Sequence, residues 1–208
     1  MPNLIWRMEQ LRHLYLPHHK RKGDGYKLRL GNLSDLQTLC GFDTRSCDVK
    51  DLIKLTNLKK LRIRMESIKE LEEILISASV TLSHLRSFQS EVKSIVEEIG
   101  LQRLLLACPH LYKLALGGKI EKLPEFHQFP PNLTKLTLQG SRLEEDPMAT
   151  LEKLPNLSIL HLINNAFKGK EMVCSSKGFP QLNLYSLATC TTRRNGVWLK
   201  KPCPVYVN

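Results

Sequence analysis

The sequence predicts an α/β solenoid, with a curved parallel β-sheet on its concave face and helices and irregular turns on its convex face. Two observations carry this expectation. The apolar period changes inside single short stretches, and the change recurs along nearly the whole chain of 208 residues. Residues 52–65, LIKLTNLKKLRIRM, hold Leu or Ile at 52, 55, 58, 61 and 63, spaced by three, three, three and then two. A helix wants apolar residues at alternating threes and fours, and a strand wants them at twos. This stretch switches between the two habits.

The switch returns in QLRHLYL (Leu11, Leu14, Leu16), HLYKLAL (Leu111, Leu114, Leu116), NLTKLTL (Leu133, Leu136, Leu138) and NLSILHL (Leu157, Leu160, Leu162). Looser copies are NLSDLQTLCGF (Leu33, Leu36, Leu39), HLRSFQS (Leu85, Phe88) and QLNLYSL (Leu182, Tyr185, Leu187). The residues that open the short step stand at 14, 39, 61, 88, 114, 136, 160 and 185, so neighbouring copies lie 22–27 residues apart. That is the leucine-rich-repeat pattern LxxLxL at its period of 20–29 residues. Each copy is expected to form a short strand with its leucines inward. One unit cannot bury those leucines alone, so units stack into a shared core. Strands stacked at about 4.8 Å give eight copies a face roughly 35–40 Å long.

Between strands, two stretches read as helices. SIKELEEILISA sets Ile68, Leu71, Ile74 and Leu75 on one face, and SEVKSIVEEIGLQRLL sets Val92, Ile95, Val96 and Ile99 on one face. EKLPEFHQFPPN reads as an extended or irregular turn. The repeats occupy residues 1–188 as one domain, and residues 189–208 form a tail that leaves the pattern.

No apolar run approaches the ~20 residues of a membrane span, and MPNLIWRMEQ lacks the basic and apolar segments of a signal peptide. The six cysteines (40, 47, 108, 174, 190, 203) have no CxxC spacing. They are expected to be reduced thiols of a cytoplasmic protein. Asn32, Asn132 and Asn156 stand in N-x-S/T sequons, but each directly precedes a repeat leucine, so the repeat itself accounts for them.

The formal charge of +11 is uneven: residues 1–65 carry 14 Lys and Arg against 6 Asp and Glu, residues 66–126 carry 7 against 9, and the rest 10 against 5. No stacking platform or recognition helix accompanies the basic excess, so a protein-binding face is expected rather than a nucleic-acid site. Catalytic motifs are missing from the sequence. Gly117-Gly118-Lys119 is a fragment of a phosphate loop and reads as the turn leaving a strand. His18 and His19 lack zinc-site spacing, there is no GxSxG elbow, and nothing in the repeat register brings Cys47 to His13. No enzyme, no metal and no cofactor is expected.

What remains is the solvent side of the strands. The register puts there His13, Tyr15, Lys60, Arg62, Arg64, Lys113, Lys135, Thr137, Gln139, Ile159 and His161 as candidate partner-binding residues. Lys60, Lys113 and Lys135 are assigned one repeat slot, and His13 and His161 another shared slot. A line of cations suits an acidic protein partner.

The segments IWRMEQLRHLYLP, LTNLKKLRIR, FPPNLTKLTLQGSRLEEDPMATLEKLPNLSILHL and KGKEMVCSSKGFPQL resemble plant intracellular immune receptors of the coiled-coil, nucleotide-binding, leucine-rich-repeat class. The resemblance covers about residues 1–187. It implies a recognition module that senses a pathogen effector or a guarded host protein and restrains a nucleotide switch. The coiled coil and the nucleotide-binding domain are missing from this chain, so ATP or ADP is expected only in the corresponding domain of a full-length family member. A repeat-only scaffold or decoy without signalling output is the alternative. Extracellular receptor repeats fit less well, because the even 24-residue spacing and GxIP continuation of that class are missing. The tail, back-translated and read two bases later, gives WSVAEEAMPSLCK, similar to the family's next segment. A frameshift near residues 185–190 and a disordered tail are therefore expected.

Overall fold

A computed structural model describes residues 4–17, 27–70, 82–169 and 171–187, and for the backbone alone 188, 191–194, 197–200 and 205–207. Eight strands make one sheet: β1 (His13–Tyr15), β2 (Thr38–Asp43), β3 (Lys60–Met65), β4 (Ser87–Val92), β5 (Lys113–Gly117), β6 (Lys135–Gln139), β7 (Ile159–Ile163) and, at the far end, β9 (Leu184–Ala188). They lie in chain order and every pairing is parallel. Parallel neighbours need a crossover, and each crossover here is the remainder of one repeat.

The register is the one the spacing predicts. Leu14, Leu39, Leu61, Phe88, Leu114, Leu136, Leu160 and Tyr185 stand side by side across all eight strands. The six central members of this row are buried, whereas Leu14 and Tyr185, with a neighbouring repeat on one side only, are half-buried. The leading leucines Leu36, Leu58, Leu85, Leu111, Leu133 and Leu157 form a second buried row beneath the strand starts.

The run of threes in residues 52–61 has a physical cause. A 3-10 helix (Val49–Lys54) buries Leu52, and its three residues per turn match that spacing. The Leu58 amide then donates to the Leu55 carbonyl, at 3.2 Å, closing a turn before β3. The same three-residue closure recurs at Leu11, Leu36, Leu85, Leu111, Leu133 and Leu182. The threes are therefore tight turns, and the final two is the strand.

One predicted helix is shifted. Val92 ends β4, Val96 makes a parallel bridge to Ile120, and helix α1 begins only at Glu98 (Glu98–Ala107). Phe88, Ser90 and Val92 alternate inward, so pairing with β3 and β5 holds this segment extended. The inward face of α1 is Leu101, Leu104 and Leu105. Ile99 lies about 200° round the helix from Leu101, and it is 60% exposed, as Ile95 is 47%. In the other predicted helix Ile68 is buried, while Leu71, Ile74 and Leu75 lie outside the described residues. The proline-rich connection of residues 121–132 carries a single 3-10 turn (Phe126–Gln128). A short helix α2 (Met148–Leu151) backs the next repeat. Helices and turns on the back are wider than the ~4.8 Å strand spacing, so the stack bends toward the sheet.

Two glycines set the close approach of successive repeats. Gly41, at φ +83°, is the extra residue where the β2–β3 register slips between Cys40 and Phe42. Gly118, at φ +120°, donates from its amide to the Gln139 carbonyl at 3.0 Å. A Cβ at either would run into a neighbouring carbonyl oxygen, that of Leu16 or of Val92. The Gly-Gly-Lys segment is thus a turn packed between repeats.

Past the sheet, β8 (Met172–Cys174) pairs in parallel with β12 (Val205–Val207), and β10 (Thr191–Arg194) forms an antiparallel hairpin with β11 (Val197–Lys200). Of these, β10, β11 and β12 lie in residues 189–208, and none of the four strands joins the eight-stranded sheet. Among the described residues no helix is long and apolar enough to cross a membrane.

Candidate functional site

Alternation puts every second strand residue on the open side of the sheet. His13, Tyr15, Lys60, Arg62, Lys113 and Gln139 are exposed, and Arg64, Lys135, Thr137, Ile159 and His161 are partly exposed, so all eleven candidate residues face outward. The register sorts them into columns. The first column runs His13, Thr38, Lys60, Ser87, Lys113, Lys135, Ile159, and the second runs Tyr15, Cys40, Arg62, Gln89, Ala115, Thr137, His161. Lys113 and Lys135 are direct neighbours, and Lys60 is separated from Lys113 by Ser87. His13 and His161 do not share a slot: His13 precedes the inward leucine of its strand and His161 follows it. Tyr15 is the column-mate of His161.

Arg64 also differs from the expectation of a free cation. Its guanidinium donates twice to one Glu91 oxygen, at 3.1 and 2.8 Å, across the β3–β4 pair. The strand-end loops continue this pattern, with Arg45 on Asp43 and Glu66, Lys93 on Glu66, Lys69 on Glu97, Lys122 on Glu145 and Lys168 on Glu144. Hydrogen bonding from Arg45 holds the Asp43 carboxyl below the usual aspartate range, against an opposing effect of burial. By contrast Lys60, Arg62 and Lys135 have no acidic partner among the described residues, and Lys113 only sits 5.3 Å from the Tyr112 ring centre. Burial, and then the nearby Lys135, push the His161 imidazole below its ordinary pKa, so His161 itself adds little charge near neutral pH.

At the strand starts a further basic row was not legible in the leucine pattern. Arg12, Lys59 and Arg86 occupy one slot, tied by backbone bonds from Gln37 to Arg12, Lys59 to Gln37 and Arg86 to Lys59. The only sequence signal was their shared offset, two residues before the inward Leu14, Leu61 or Phe88. The asparagines before the leading leucines tie repeats together: Asn57 donates to the Ser34 carbonyl at 3.0 Å and Asn156 to that of Pro131 at 2.8 Å. This gives the Asn156 sequon a role inside the stack.

The cysteines divide by burial. Cys40 is half-exposed on the face, while burial pushes the Cys47 thiol up to about 11 and the Cys108 thiol up to about 12. Cys190 and Cys203 lie outside the described residues. Among the described residues no three His, Cys, Asp or Glu side chains gather as a metal would require.

A parallel sheet in chain order, leucines buried at one register and a solvent side left uncovered define a leucine-rich-repeat solenoid. The chain belongs to the leucine-rich repeat region family, which it matches over residues 1–196. Disease resistance protein RPP8 of Arabidopsis thaliana is 38% identical over 192 residues, covering 88% of this chain and 20% of the relative. Probable disease resistance protein RF9 of the same plant is 40% identical over 192 residues, covering 90% and 18%. Probable disease resistance protein RXW24L is 38% identical over 188 residues, covering 90% and 20%. The chain therefore spans about a fifth of the length of the curated relatives it matches.

Proposed function

We propose that this chain is the protein-recognition module of an intracellular plant immune receptor and that it meets its partner with the open side of the sheet. The observation that carries the reading is the face itself: Lys60, Arg62, Lys113 and Lys135 stand between buried leucines, without acidic partners among the described residues. Relatives named for disease resistance supply the biological setting. A surface of one sign steers an oppositely charged protein and fixes its register more than it sets raw affinity. The partner in this reading is an effector, a guarded host protein or the nucleotide-binding domain of a receptor, with its acidic surface on the face. The module works in the cytoplasm, does no catalysis and binds no nucleic acid. It holds neither ATP nor ADP, and saturable nucleotide binding by the purified chain at micromolar concentration would contradict that.

The test is the triple variant Lys60→Glu/Arg62→Glu/Lys113→Glu expressed in leaf tissue beside the unaltered chain. The variant should keep the thermal transition and lose interacting proteins on quantitative affinity purification. Identical protein sets would sink the face assignment. Co-expression with the nucleotide-binding part of a relative separates this reading from a scaffold or decoy: a recognition module changes the signalling of that part, and a decoy leaves it unaltered. The frameshift proposed for the tail is decided by the nucleotide sequence. A shifted frame that does not continue into repeats ends that idea.

A further inference from the structure

The strand starts hold a cavity that the open face does not explain. Its volume is about 310 Å³, and it is lined by Thr56, Asn57 and Lys59 on the approach to β3 and by His84 and Arg86 on the approach to β4. Backbone bonds fix the two approaches side by side, since the amides of Arg86 and Ser87 both donate to the Lys59 carbonyl, at 2.8 and 3.0 Å. Neighbouring parallel strands are about 4.8 Å apart, so an ammonium and a guanidinium share one notch with an imidazole. Like charges so placed oppose each other. Among the described residues Lys59, His84 and Arg86 have no acidic partner, although the ends of the same two strands are joined by the Arg64–Glu91 pair. Among the described residues the counter-charge is missing at the leading ends of β3 and β4 and present at their trailing ends.

The donor set specifies the anion. One Arg fork satisfies a carboxylate, which offers two oxygens. A phosphate monoester offers three strong acceptor oxygens and nearly two charges, and it matches a fork, a point charge and further neutral donors together. Thr56 supplies a hydroxyl and His84 a ring N–H. Asn57 is held at the rim by its bond to Ser34, and one N–H of its amide remains. All five residues are exposed, so the mouth admits a phosphate that stays attached to a larger molecule. The cations Lys60 and Lys113 lie just along the strands, where a carrier would run onto the face.

We propose that this notch binds a phosphate monoester carried by the protein that the sheet face recognises, with Lys59 and Arg86 taking its anionic oxygens. The proposal deepens the protein-recognition reading and rests on it for the carrier alone.

The test follows the His84 ring signals by NMR in the full chain at constant ionic strength. The probes are inorganic phosphate, a pentapeptide with one phosphoserine, and the same peptide with glutamate or unmodified serine at that position. Both phosphate probes should move the His84 signals saturably, the phosphopeptide at lower concentration. The glutamate peptide should bind at least about tenfold more weakly and the serine peptide not at all. Lys59→Gln and Arg86→Gln should each weaken phosphate binding about tenfold, one missing charge-assisted contact being worth roughly that factor. Arg86→Lys, which keeps the charge without the fork, should fall between. Lys122→Gln, at the opposite strand ends, should bind like the unaltered chain. No saturation by about 50 mM phosphate, an equal response to the glutamate peptide, or indifference to Arg86→Gln overturns the site. Binding of inorganic phosphate without the phosphopeptide overturns the protein-borne source. Phosphate binding needs no partner protein, so it survives a failure of the face reading. Loss of phosphate binding with partner capture intact sinks the notch alone.

Discussion

At the trailing ends of the strands Arg64 reaches Glu91 and Lys93 reaches Glu66, each from one repeat to the next. At the leading ends Arg12, Lys59 and Arg86 share a slot across the same stack and have no acidic partner among the described residues. Both edges are built by one backbone ladder, so the difference comes only from which side chain each repeat places in each slot. A periodic fold brings a slot back every ~4.8 Å. Opposite signs in adjacent copies cancel into surface ion pairs, each worth little. Equal signs add into a potential that a partner can read. The trailing edge spends its charge internally, and the leading edge and the face present theirs outward.

The largest effect should come from neither edge. Leu61→Ala removes the centre of the buried row, which is 1% exposed, and should cost about 2–5 kcal/mol in chemical denaturation. The neighbouring double reversal Lys60→Glu/Arg62→Glu should leave the fold intact. If the reversal unfolds the protein as Leu61→Ala does, the assignment of inward and outward positions fails.

Next come two buried hydroxyls near the trailing edge, Thr44 Oγ1 and Ser141 Oγ, which have no hydrogen-bond partner among the described residues. Thr44→Val and Ser141→Ala should be neutral or stabilise by up to about 1 kcal/mol, since a buried unpaired hydroxyl is costly. A clear loss of stability in both would show that these groups are satisfied.

The charge comparison itself is tested by a double-mutant cycle on Arg64 and Glu91 against single neutralisations at the leading edge. The cycle should give a coupling of about 0.2–1 kcal/mol that shrinks as salt is added. Lys59→Gln and Arg86→Gln should change stability by less than about 0.5 kcal/mol. A larger loss at the leading edge would mean those cations are structural.

The smallest effect is a titration. His161 is held below its ordinary pKa by burial first and Lys135 second, so Lys135→Gln should raise its NMR pKa only part of the way back. Because the fold favours the neutral ring, the associated stability is present above the ordinary histidine value of about 6.5 and is lost as pH falls through the lowered one. An unchanged pKa in the variant would remove Lys135 as an influence on His161.

The leucine pattern by itself determined the fold and, for the eight-stranded sheet, the number of strands and their register. Leu39, Leu61, Leu114, Leu136 and Leu160 can be buried together in only one alignment, because slipping a strand by one residue turns its leucines to water. Outwardness followed from the same alternation, so all eleven candidate residues were placed on the open side. The tertiary structure decided what those residues meet. Arg64 is neutralised by a glutamate 27 positions away, Ile159 rather than His161 stands in the column of His13, and β4 runs on to Val92 before α1 begins. Each of these depends on the neighbouring repeat. Burial is imposed on every repeat alike and leaves a periodic trace in the chain. Charge pairing is settled between individual side chains of adjacent repeats, and nothing in the spacing of leucines encodes it.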